Sequence, residues 1–156
     1  MKVLSGNSKT DVDEINKSVE DGKNVFILVY MDGCGPCMAT KPEWHKMSRE
    51  LSESDIVIAD VNKNFMGDLK YIGDIDGFPT IKHIGKKGKY IKAYEDSNVK
   101  TKDRSAESFK EWIKNHDKQL GGSPYKLLKR LSKKTKKKSS KKKSKRKKKS
   151  KTKKFN

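Results

Sequence analysis

The two cysteines of this 156-residue chain stand together as Cys34-Gly35-Pro36-Cys37. Two residues between two thiols, at the mouth of a helix, suit thiol–disulfide exchange. One sulfur attacks a disulfide and the other resolves the mixed disulfide that forms. A free thiol ionises only near pH ~8.5. Unpaired backbone N–H groups and the helix dipole favour negative charge at a helix start. Cys34 is therefore expected to be the nucleophile, and Cys37, one turn deeper, the resolving thiol. Zinc is the competing use of such a pair. A structural zinc site needs about four ligands, and His45, His83 and His116 are scattered without ligand spacing. No metal and no other cofactor is expected.

The elements that must hold the pair follow from hydrophobic patterning. Residues 24–30, Asn-Val-Phe-Ile-Leu-Val-Tyr, read as a buried strand leading into the motif. Residues 36–52 read as a helix with Met47 and Leu51 facing inward and a kink at Pro42. A first helix is expected over 11–21, with Val12, Ile15 and Val19 on one face and Gly22 stopping it. Residues 55–61 form a second buried strand, and 68–73 a short helix with Leu69 and Ile72 facing in. Residues 79–84 and 89–94 alternate with period two, and Gly85-Lys86-Lys87-Gly88 turns them into a hairpin. A polar loop covers 95–103. The last helix, 105–117, lines up Ala106, Phe109, Trp112 and Ile113. A weakly marked strand lies near Val3-Leu4. The order predicts an α/β fold with a central mixed sheet covered by helices on both faces.

Charge divides the chain in two. Residues 1–125 hold 20 basic and 20 acidic side chains, whereas the last 31 residues hold 19 basic and no acidic ones. The expected organisation is a domain over 1–120 and a Lys-rich basic tail over 121–156. Gly121-Gly122-Ser123-Pro124 reads as a hinge, and Tyr125, Leu127, Leu128 and Leu131 as the apolar side of a short helix. Beyond Ser132 the tail can bury nothing and should be disordered when free. Lys136, Lys137, Lys138, Lys141, Lys142, Lys143, Lys145, Arg146, Lys147, Lys148 and Lys149 are the expected contacts to nucleic acid or another polyanion. Such runs bind phosphates by counterion release, and without interleaved aromatics they lack base specificity. An anionic membrane surface is the alternative partner. Lys145-Arg146-Lys147-Lys148 also fits a nuclear import signal, and Ser139, Ser140, Ser144 and Ser150 are sites where phosphorylation would lower the charge. No apolar run approaches the roughly 18 residues of a membrane span. Met1-Lys2-Val3-Leu4-Ser5-Gly6-Asn7-Ser8 lacks the apolar stretch of a secretory signal. The expectation is an intracellular protein, cytoplasmic or nuclear.

These pieces resemble the thioredoxin fold over residues 10–118. Cys34-Gly35-Pro36-Cys37 is the thioredoxin active-site tetrapeptide. Pro42 matches the helix-kinking proline eight residues after the first cysteine. Phe78-Pro79-Thr80 matches the site whose cis proline faces the cysteines. Pro42-Glu43-Trp44 and the stretch Arg104-Ser105-Ala106-Glu107-Ser108-Phe109 are more similar to domains of protein disulfide isomerases. Tyr94-Glu95 and Arg104 look like the two halves of an isomerase Tyr-Glu-Gly-x-Arg-Thr pattern, split by an insertion. The resemblance implies Cys34 and Cys37 as catalytic residues. It also implies Phe78, Pro79, Gly35 and Pro36 as the substrate-facing surface, and Arg104 as a group that modulates the thiolates. It implies protein disulfides as substrates and a thioredoxin-reductase-like or small-thiol electron donor.

Three positions depart from the pattern. Gly33 replaces the usual Trp, Pro36 replaces the isomerase His, and Leu28 replaces the buried acid six residues before the first cysteine. With Leu28 there, nothing nearby in sequence accepts the Cys37 proton, and water or Cys34 is expected to do so slowly. The Lys- and Ile-rich usage with a basic extension is similar to thioredoxin-like proteins of large DNA viruses, which makes the virion a further expected location. Two functions follow. One is an oxidoreductase tethered by its tail to a polyanion. The other is a nucleic-acid-binding or virion-packaged structural protein whose thioredoxin-like domain is only weakly active.

Overall fold

Continuous apolar runs and period-two alternation build one five-stranded sheet. In the computed structural model, which describes residues 1–116, the strands are β1 (Lys2–Gly6), β2 (Asn24–Tyr30), β3 (Ile56–Asn62), β4 (Thr80–Gly85) and β5 (Tyr90–Ala93). Their order across the sheet is β1-β3-β2-β4-β5. β1 and β2 both run parallel to β3, while β4 is antiparallel to β2 and to β5. The mixed sheet is as expected, and the faint Val3-Leu4 signal is a full edge strand. Met1–Lys114 form one compact unit. The expected hinge at 121–124, the helix at 125–131 and the tail lysines lie outside the described residues.

Among the described residues three α-helices cover the sheet: α1 (Lys9–Glu20), α2 (Gly35–Glu50) and α3 (Ala106–Lys114). α1 starts two residues earlier than periodicity alone suggests because Ser8 caps it, accepting from the Asp11 N–H at 3.2 Å. Its apolar stripe of Val12, Ile15 and Val19 packs on Val25, Ile27, Val29, Val57 and Val61. The opposite face carries Phe26, Leu28, Ile58 and Ile81 under Trp44, Met47, Phe109 and Trp112. The rings meet edge to face: Phe26 with Trp112 at 5.0 Å and Trp44 with Phe109 at 5.1 Å. α2 continues through Pro42 to Glu50. Glu43, one residue on, accepts from the Ala106 N–H at 2.8 Å, so α2 caps the first turn of α3.

The expected helix over 68–73 does not form. A 3₁₀ helix (Lys63–Asp68) precedes the region, and residues 69–79 follow without a helix or strand. The cause lies in α1. The Asn16 amide donates to the Asp68 carbonyl at 2.9 Å and accepts from the Lys70 N–H at 3.0 Å. It occupies the Asp68 carbonyl that a helix would pair with the Ile72 N–H. Ile72 is buried as its pattern suggested. The hairpin turn is a 3₁₀ segment (Lys86–Gly88) with φ of +50° at Lys86, +58° at Lys87 and +82° at Gly88. No helix among the described residues is long and apolar enough to cross a membrane.

Candidate active site

β2 ends at Tyr30, and a tight turn, closed by the Cys34 N–H on the Met31 carbonyl at 3.4 Å, delivers the chain to α2. Gly33 sits in that turn at φ +74°, a conformation open to glycine at no steric cost. Cys34 is the N-cap of α2, with Gly35 and Pro36 in its first turn. Pro36 needs no N–H there, and its fixed φ suits a helix start. The Cys37 N–H donates to Cys34 Sγ at 3.3 Å. Cys34 and Cys37 are joined as a disulfide with Cα atoms 5.2 Å apart. Cys34 is 9% exposed and Cys37 2%, so the first sulfur is the one an incoming disulfide reaches. Once the bond is reduced, the same N–H and the helix N-terminus hold negative charge on Cys34.

The expected substrate-facing residues gather around that sulfur. The Phe78–Pro79 peptide is cis, and the Phe78 carbonyl oxygen is 3.7 Å from Cys34 Sγ. Phe78 and Met31 pack against the cluster of Tyr30, Cys34 and Cys37. Met38, on the first turn of α2, is 68% exposed beside the motif. Beyond Pro79 opens a cavity of about 790 Å³ whose lining includes Asp74, Asp76, Phe78, Pro79, Glu95 and Arg104. Arg104 has φ +59° and its guanidinium donates to Glu95 at 2.9 Å. The two halves of the split Tyr-Glu/Arg pattern therefore meet in space, and Arg104 rests on the cavity rim, held by an acid.

Polar groups hold Tyr30, which clusters with the two cysteines. The Tyr30 hydroxyl donates to Asn7 at 3.2 Å, and the Lys41 ammonium lies 3.6 Å from the Tyr30 ring centroid. Leu28 is fully buried. Its parallel partner across the β2–β3 pairing is Asp60. Asp60 is 4% exposed, accepts from the Ser5 hydroxyl at 2.9 Å, and lies 3.6 Å from His45 Nε2. No local pattern singled out Asp60 or His45. The available signal was one carboxylate inside the otherwise apolar run Ile56-Val57-Ile58-Ala59-Asp60-Val61. Asp60 is thus a neighbour of Leu28 across the sheet and not along the sequence. Among the described residues, no group of three or more His, Cys, Asp or Glu side chains is arranged to hold a metal ion.

Comparison with known proteins agrees with this geometry. The family pattern described as Thioredoxin matches residues 7–115. The chain is 36% identical over 106 residues to a protein disulfide-isomerase of Hordeum vulgare, covering 64% of this chain and 19% of that protein. It is 33% identical over 126 residues to a protein disulfide-isomerase of Medicago sativa, covering 72% and 23%. Each match therefore spans about a fifth of the relative's length. Among solved structures, the J-Trx1 fragment of ERdj5 superposes with a TM-score of 0.55 at 21% identity, covering 73% of this chain and 51% of that one. A matched pattern over most of the chain, a shared sheet topology and a Cys-x-x-Cys pair at the start of α2 lead to one statement: this chain belongs to the thioredoxin family.

Proposed function

We propose that the chain is a thiol–disulfide oxidoreductase acting on protein disulfides. The carrying observation is the asymmetry of the pair. Cys34 caps α2, receives the Cys37 N–H and is the more exposed sulfur, while Cys37 is nearly sealed. The Cys34 thiolate attacks a substrate disulfide, expels one substrate sulfur as thiolate and forms a mixed disulfide. Cys37 then attacks Cys34 and releases the second sulfur, leaving the Cys34–Cys37 disulfide. A thioredoxin-reductase-like protein or a small thiol returns two electrons. Phe78, Pro79, Gly35 and Pro36 form the wall along which an extended substrate lies, and Arg104, once released from Glu95, steadies the thiolates.

The basic tail is the tether. Its 19 positive charges within 31 residues support salt-sensitive binding to nucleic acid or another polyanion, with cytoplasm, nucleus or virion as the place of action. Insulin reduction with dithiothreitol tests the enzyme. Cys34→Ser abolishes turnover, and Cys37→Ser accumulates a mixed disulfide. Wild-type turnover no faster than dithiothreitol alone would refute the activity. Truncation after Gly122 keeps turnover and removes DNA binding. A truncated protein that still binds DNA comparably would refute the tether.

A further inference from the structure

Residues 69–79 bring the Phe78 carbonyl to 3.7 Å from Cys34 Sγ, yet they contain no helix or strand. We propose that Lys82 is a positioning residue: its ammonium clamps this segment to β4 and so holds the Phe78–Pro79 wall where a peptide disulfide must lie. It rests on the exchange reading above and makes Lys82 the residue that separates peptide disulfides from small ones.

A segment outside regular structure leaves its carbonyls without ladder partners, and those shielded from water must find a donor elsewhere. Asn16 serves the start of the segment, at Asp68 and Lys70. Thr80 serves its end, where the hydroxyl donates to the Gly77 carbonyl at 2.6 Å. Lys82 serves the middle. Its ammonium donates to the Ile72 carbonyl at 3.1 Å and also to the Asp74 carbonyl. An ammonium has N–H donors and no acceptor, which suits a pair of carbonyls. Its charge makes such bonds about twice as strong as neutral ones.

The position of Lys82 in the sheet points the same way. Along β4, Ile81 packs in the layer of α2 and α3, and Ile84 in the layer of α1. Strand alternation puts Lys82 on the Ile84 face. It stands in register with Ile27 of β2 and Ala93 of β5. Ile27 and Ile84 are buried, so a lysine here interrupts an apolar face. The Ile72 and Asp74 carbonyls account for it. Lys82 follows Pro79 by three residues, and Asp74 precedes Phe78 by four. The clamp therefore closes a short loop that contains the wall. Asp74, Phe78, Pro79 and Lys82 line the same cavity beside the disulfide. An extended substrate that pairs with backbone along this wall needs the wall fixed before it arrives. A small disulfide that meets only Cys34 Sγ does not.

The test compares two disulfides. Reduced full-length protein is mixed with bis(hydroxyethyl) disulfide or with an extended peptide disulfide of no net charge. Mixed-disulfide formation is read by mass after acid quenching. Lys82→Met removes the donors and keeps an unbranched side chain. It slows reaction with the peptide at least about fivefold and leaves reaction with the small disulfide within about twofold. Lys82→Arg restores donors and charge, and returns the peptide rate to within about twofold of wild type. Amide deuterium uptake by the oxidised full chain reads the clamp without turnover. In Lys82→Met, residues 72–78 take up deuterium at least about fivefold faster, while β2 and α2 are unchanged. A peptide-to-small rate ratio equal to wild type in Lys82→Met overturns the proposal, whether both rates hold or both fall. So does unchanged uptake over 72–78. If Lys82→Met does not fold, Lys82→Gln, polar but shorter at this half-buried position, is read in the same way. A wild-type protein that reacts with neither disulfide refutes the exchange reading, and the uptake comparison still decides the clamp.

Discussion

A stability cycle tests the register on which Asp60 depends. Leu28 is fully buried among Phe26, Trp44, Ile58 and Ile81, directly across from Asp60. Leu28→Asp removes apolar volume, which costs about 2–5 kcal/mol for truncation of a buried Leu. It also sets a second carboxylate beside Asp60 at the strand spacing of about 4.8 Å. At an effective dielectric constant of about 20, that repulsion is worth about 3 kcal/mol. The total of roughly 5–8 kcal/mol is most of the 5–15 kcal/mol that holds an ordinary domain together. Asp60→Leu alone leaves the Ser5 hydroxyl without its acceptor, a loss of about 1–3 kcal/mol. The double variant Leu28→Asp/Asp60→Leu escapes the repulsion, so it should be about 3 kcal/mol more stable than the two single changes add up to. Urea unfolding of the oxidised full chain reads this directly through Trp44 and Trp112, both buried in that core. Additivity within about 0.5 kcal/mol at neutral pH would mean that positions 28 and 60 do not face each other.

Two further outcomes probe the frame around the site. Hydrogen bonds from Ser108 and then Ser105 hold the Asp103 carboxyl at about 2, below its ordinary 3.8. A carboxylate depressed on folding stabilises fully above the unfolded value of about 3.8 and loses that stabilisation as pH falls toward about 2. Asp103→Asn should therefore lower the melting temperature at pH ~7, with the gap to wild type closing below about pH 2; a constant gap across that range would contradict the assignment. In the hairpin turn, a Cβ on Gly88 would lie 2.3 Å from the Tyr71 ring at a backbone φ of +82°. Gly88→Ala should cost about 1–3 kcal/mol by urea unfolding, part of it recovered in a Tyr71→Ala background. An unchanged midpoint would show that the ring moves freely.

What was legible in the sequence was what is local. The Cys34-to-Cys37 spacing, the apolar run of β2 and the alternation of β4 and β5 each signal their structure within a few residues, and each forms where expected. The failures share a different cause. The region 68–73 reads as helical at Leu69 and Ile72, but Asn16, more than fifty residues away, decides its backbone pairing. β1 is short and alternates weakly, and it becomes a strand because β3 offers an edge. Arg104 meets Glu95 across the segment that separates them in sequence. Each outcome depends on a partner that composition and periodicity cannot name.

The same division runs through the chemistry. Everything that prepares Cys34 lies within three residues of it: the capping position, Pro36 in the first turn and the Cys37 N–H. The preparation of Cys34 was therefore readable from the motif. Cys37 is prepared by different means. It is nearly sealed from water, and the one buried acid among the described residues, Asp60, stands on another strand in register with Leu28. A carboxylate on β3 opposite Leu28 lies on the same sheet face as a carboxylate on β2 would, because parallel strands in register present neighbouring side chains to one layer. The sheet offers two adjacent sites for one charge, and this chain fills the second.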